Sequence, residues 1–170
     1  MYTGSTNNIR LLPVLRGRPQ AEAELSGSAA YPGISGIVRF YQTRAGVIVY
    51  AEVDGLPSSP GSPCGGRIFG FHIHEGTSCG GNMTDPFADV MAHYNPDGCP
   101  HPFHAGDMPP LFGNDGFVLT LFLTNRFSIS EIIGRAVIIH DSPDDFTSQP
   151  SGNSGTKIAC GIIRQAGTRR

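Results

Sequence analysis

This 170-residue chain has no tryptophan, and charged residues make up only 15% of it, leaving a net charge of −2. There is no basic surplus to serve a nucleic-acid surface. No apolar run approaches the ~20 residues of a membrane-spanning helix. No segment sustains a helical period beyond a single turn at 130–133, so a helical fold is excluded. A secretory leader is not evident either. The apolar stretch Ile9–Leu15 is short and is broken by Arg10 and Pro13. The expected location is the cytoplasm, or outside it for a chain whose leader was removed. Cysteine is limited to Cys64, Cys79, Cys99 and Cys160. Four cysteines allow three pairings and lean toward an oxidising compartment.

What the chain has in quantity is glycine and proline, 23 and 14 residues. They fall between short apolar runs, which is the pattern of a turn-rich β fold. At this length one domain with a full core is expected. Residues 1–20 read as an irregular arm, 21–165 as the domain, and 166–170 as a tail. Strands are expected at 21–26, 36–42, 46–53, 68–75, 117–124, 135–140 and 158–163. The run Val47-Ile48-Val49-Tyr50 is β-branched and aromatic, as strands favour. Between them lie a Gly/Pro/Ser loop at 54–66, a long loop at 76–114, and a polar loop at 141–156. Loops as long as the second are usually functional. The fold class expected is all-β: an eight-stranded Greek-key barrel or sandwich of immunoglobulin-like architecture, with two long metal-site loops.

The six histidines fall in three segments, GFHIHEG (70–76), AHYNPDGCPHPFHAGD (92–107) and IIHDSPDD (138–145). His72 and His74 form an H-x-H pair on a strand. Alternation puts both imidazoles on one face, where they can share a metal. His93, His101, His104 and Asp107 cluster in the long loop. Three nitrogens and a carboxylate make the four ligands of a closed zinc site. An ordinary polar surface loop with incidental histidines is the competing explanation, and the clustering weighs against it. His140 ends a strand, and by itself it is no more than a strand-end histidine. Neutral imidazole suits zinc and copper alike.

These segments, together with GRAVIIH, Asp144-Asp145 and GNSGTKIACGII, resemble the copper–zinc superoxide dismutase family from about Ala21 to Ile163. The resemblance implies a superoxide dismutase with redox-active copper and structural zinc. It implies His72, His74, His93 and His140 as copper ligands. It implies His93, His101, His104 and Asp107 as zinc ligands, His93 being shared and passing a proton. Asp144 would link a copper histidine to a zinc histidine, fixing both rings. Cys79 and Cys160 would form the family's disulfide, leaving Cys64 and Cys99 as a second bridge or two free thiols.

The chain departs from the pattern at Lys157, where the family usually carries arginine beside the copper mouth. Lysine keeps the charge and loses the planar fork of donors. His93 and Lys157 are therefore the expected catalytic residues. The loop from Asp141 to Thr156 is short and carries little charge, so field focusing is expected to be weak. The expected partner is superoxide, a small anion, with no nucleic acid and no membrane. A homodimer is one of the assemblies the family allows. The alternative function is a non-catalytic metal-binding or structural protein of the same fold. A zinc hydrolase is disfavoured, because no general base accompanies an H-E-x-x-H motif.

Overall fold

The computed structural model describes residues 11–59, 61 and 66–167. Among the described residues ten strands run in the order β1 (Ala21–Gly27), β2 (Ser35–Thr43), β3 (Gly46–Asp54), β4 (Ile68–Phe69), β5 (Phe71–His74), β6 (Leu111–Phe112), β7 (Val118–Thr124), β8 (Ala136–His140), β9 (Lys157–Ile162) and β10 (Arg164–Gln165). Eight of them form one antiparallel sheet, ordered β5-β8-β9-β1-β2-β3-β7 with β10 beside β1. The other two, β4 and β6, pair with each other. Neighbours that are distant in sequence, such as β3 with β7 and β9 with β1, require Greek-key connections. The fold is all-β, as the sequence indicated.

Alternation explains the core. On β1 the burial pattern follows period two, with Ala21, Ala23 and Leu25 inward and Glu22 and Glu24 outward. The main core gathers Phe40, Val49, Phe69, Phe71, Ile73, Leu111, Val137, Ile139 and Ile158. A smaller cluster of Phe87, Val90, Ala136, Ile138 and Cys160 packs on the opposite face of β8 and β9. Strands β5 and β8 are thus buried on both faces. This gives the histidines on their outer side a dry environment.

Two local features differ from expectation. Leu11–Arg16 form a short helix, α1, within the segment expected to be irregular. Pro13 is tolerated there because the first turn has no intrahelical use for its missing N–H. The expected strand at 68–75 is interrupted at Gly70, so that β4 and β5 join different sheets. A Cβ at Gly70 would lie 2.8 Å from Cβ of Ser154. The long loop also carries a 3-10 turn at Ala88–Val90 and the short strand β6. The turn expected at 130–133 is a one-turn helix, α2 (Ile129–Ile132), closed by a capping box between Ser128 and Glu131.

Candidate metal centre

The site is built on the end strand β5. His72 and His74 share its outer face, while Phe71 and Ile73 enter the core. The long loop returns along the free edge of β5. Ile73 N–H donates to Gly106 O at 2.9 Å, Tyr94 N–H to Ile73 O at 2.8 Å, and Glu75 N–H to Ala92 O at 2.9 Å. Only glycine permits this approach at position 106, because a Cβ there would stand 2.2 Å from Ile73 O. These bonds lay His93 and Asp107 against His74 and His72. His140, at the end of the paired strand β8, completes the set.

The side chains converge as two clusters sharing one residue. His72, His74, His93 and His140 have ligand atoms within 4.8 Å of one another. So do His93, His101, His104 and Asp107. All seven residues are buried. The His72 and His93 rings stack with centroids 3.9 Å apart.

The far nitrogens of the rings are tied down. His72 Nε2 donates to Asp144 Oδ2 at 2.8 Å, and His101 Nε2 donates to Asp144 Oδ1 at 2.9 Å. His74 Nδ1 donates to Met91 O at 2.9 Å, and His140 Nδ1 to Gly155 O at 3.4 Å. A neutral ring that donates from one nitrogen presents a lone pair at the other. The lone pairs of His74 Nε2 and His140 Nε2 therefore face each other across 3.4 Å. Among the described residues, His72 Nδ1, His93 Nε2, His101 Nδ1 and His104 Nδ1 are buried with no hydrogen-bond partner. Buried polar atoms without partners are costly and call for a third body. Cations accepting those lone pairs satisfy all of them together, so the donor set fits two metal ions.

Protonation agrees with this. Burial lowers the pKa of His72 to about 4 and that of His140 to about 3, and pushes His74 well below the ordinary value. Burial likewise lowers His104. Neutral rings are what metal ligation needs. Burial acts to raise the carboxyls of Asp107 and Asp144. Hydrogen bonds from His93 to the first, and from His72, Phe146 N–H and His101 to the second, outweigh it and hold both below the carboxylate range.

The polar loops grip the centre through contacts that sequence reasoning missed. Gln149 clasps the backbone of His101 in both directions, at 3.0 and 2.7 Å. Arg126 Nη1 donates to the carbonyls of Pro102, His104 and Asp107 at 2.9, 3.2 and 3.2 Å. Gly152, at φ +68°, lies so close that a Cβ would be 2.0 Å from Asp144 Oδ1. As the resemblance implied, Cys79 and Cys160 form a disulfide, which fastens the long loop to β9. Cys99 is a free thiol among the described residues, and Cys64 lies outside them.

A cleft of about 380 Å³ opens onto His74, His93 and His140, with Lys157 on its wall. A β-bulge aims that lysine. Ile139 pairs with Ala159, yet His140 pairs with Lys157, so Ile158 is the extra residue. Lys157 is also the only lysine in the chain, a signal the sequence offered and pattern reading passed over.

The model of the family described as copper/zinc superoxide dismutase (SODC) matches residues 34–163. The chain belongs to the copper/zinc superoxide dismutase family. It is 32% identical over 160 residues to superoxide dismutase [Cu-Zn] 2 of Aquifex aeolicus, covering 85% of this chain and 86% of that one. It is 31% identical over 167 residues to superoxide dismutase [Cu-Zn] of Deinococcus radiodurans, covering 87% and 86%. It is also 31% identical over 174 residues to the human copper chaperone for superoxide dismutase, covering 91% of this chain and 59% of the chaperone. Copper and zinc are the cofactors this family membership and the paired histidine clusters support.

Proposed function

We propose that His72, His74, His93 and His140 hold copper, that His93, His101, His104 and Asp107 hold zinc, and that the chain uses them to dismutate superoxide. The observation that carries this reading is the pair of His74 and His140 Nε2 lone pairs facing each other beside the unpartnered Nδ1 of His72 and Nε2 of His93. Copper, when bound, supplies the one-electron couple by which one superoxide becomes dioxygen and the next becomes peroxide. Zinc has no redox chemistry and fixes the loop.

The residues divide the remaining work. His93 stands in both clusters and lines the cleft, and its Nε2 is the atom that would carry a proton, while its Nδ1 is anchored beside Asp107 at 2.7 Å. Asp144 fixes His72 and His101 in the tautomers that leave Nδ1 of each ring free for a metal. Lys157 is the cationic side chain on the cleft wall that an anion arriving from solvent would use. The charge-poor polar loop leaves that lysine as the chief attractor.

Superoxide decay followed by stopped flow in the apo, zinc-only and copper-plus-zinc forms tests the reading. Fast decay is expected only in the third. Equal decay in all three rejects it and favours a metal-stabilised binding protein. For assembly we put forward a homodimer, because one copy leaves Leu119, Leu121 and Leu123 of the end strand β7 exposed. Sedimentation of a monomer at micromolar concentration rejects that.

A further inference from the structure

The one lysine of the chain is not free in the cleft. Its Nζ is paired with Asp85 Oδ2 at 2.5 Å. Asp85 comes from the long loop and is itself held in place. Its Oδ1 accepts from Phe87 N–H at 3.2 Å, its N–H donates to Asn82 Oδ1 at 2.9 Å, and its carbonyl accepts from Asn82 N–H at 2.8 Å. The Cys79–Cys160 disulfide moors the same loop to β9, three residues beyond Lys157. The Lys157 side chain is 17% exposed and that of Asp85 41% exposed, so the pair sits at the rim with the lysine inward.

The charges near the cleft make this contact consequential. The residues lining it include one cation, Lys157, and one acid, Glu75. With Asp85 bound to the ammonium, the described approach to the histidines carries no uncompensated positive side chain on its wall. An anion that uses Lys157 must share or replace the Asp85 carboxylate. Lysine suits such an exchange, being a point charge on a flexible stem with three rotatable donors. A rim ion pair of this kind is weak enough to open.

We propose that Asp85 is a positioning residue that competes with the incoming anion for Lys157, holding the ammonium at the rim and setting how strongly the cleft draws in its substrate. This rests on the cleft being the superoxide entrance, and the test separates the two ideas. The single lysine allows isotope labelling that reports on one side chain. In zinc-loaded protein with 15N- and 13C-labelled lysine, Asp85→Asn is expected to increase the mobility of the Lys157 side chain. Titration with azide, a small monoanion, is expected to shift the Lys157 signal at about two- to fivefold lower concentration than in the parent. Asp85→Glu restores parent behaviour. In copper-loaded protein, Asp85→Asn raises kcat/KM for superoxide by a similar factor and steepens its dependence on ionic strength.

Because zinc-loaded protein suffices for the azide titration, an absence of dismutation sinks the functional reading without touching this one. Unchanged Lys157 mobility in Asp85→Asn overturns the proposal. So does a gain in azide affinity, read by copper absorbance, that is as large in Lys157→Gln background as with the lysine present. That result assigns the effect to removal of a negative charge alone.

Discussion

His72 and His101 are tied to the two oxygens of one carboxylate, that of Asp144, at 2.8 and 2.9 Å. The first belongs to one metal cluster and the second to the other. One side chain from the polar loop therefore sets ring orientation in both. In Asp144→Asn one of the two oxygens becomes an NH2 group, which cannot accept the ring N–H that faces it. Metal affinity is expected to fall about 10–100-fold, for both ions, in competition with a chelator. An unchanged affinity for either ion contradicts the linkage.

Acid should unfold the metal-free chain early. His72 and His140 have folded pKa values of about 4 and about 3, below the ordinary 6.5. As pH falls below 6.5 the unfolded chain takes up these protons first, so stability is full above 6.5 and is lost down to pH about 3–4. His72 alone corresponds to a loss on the order of 3 kcal/mol. The depressed carboxyls of Asp107 and Asp144 add a further loss below pH 3.8. Urea denaturation of apo protein across pH 7 to 4 measures the first window. A flat profile contradicts it.

Arg126 should matter to zinc while touching no metal. Its Nη1 serves three carbonyls of the loop that carries His104 and Asp107. Charge-assisted hydrogen bonds contribute about 1.5–3 kcal/mol. Arg126→Ala is expected to weaken zinc binding and raise protease sensitivity of residues 100–108. Limited proteolysis with zinc titration checks both.

The sequence was informative where chemistry repeats locally. The β-branched and aromatic run Val47-Ile48-Val49-Tyr50 marked β3, and H-x-H marked the face of β5 on which His72 and His74 lie together. It was silent where contacts span the chain. Nothing near Asp85 announces Lys157, 72 positions away, and nothing near Arg126 announces the loop carbonyls it holds. The bulge at Ile158 that turns Lys157 toward His140 leaves no local mark, because it depends on pairing with β8. The helix at Leu11–Arg16 was hidden by Pro13, which reads as a breaker unless its place in the first turn is known.

The disulfide should anchor the loop that carries Asp85. Cys79 and Cys160 are separated by 81 positions. Replacing both by serine is expected to cost roughly 2–5 kcal/mol, read by urea denaturation of zinc-loaded protein. The same variant should loosen Lys157, because Asp85 then lacks its mooring. Loss of stability with an unmoved lysine separates the two roles.

The two clusters share His93, and only one of them includes His140. Native mass spectrometry of His140→Ala after reconstitution with copper and zinc, with dismutation assayed on the same preparation, tests it most directly. The expected result is one zinc per chain, copper lost or greatly weakened, and no dismutation. Retained copper with full activity, or loss of zinc together with copper from a folded chain, contradicts it.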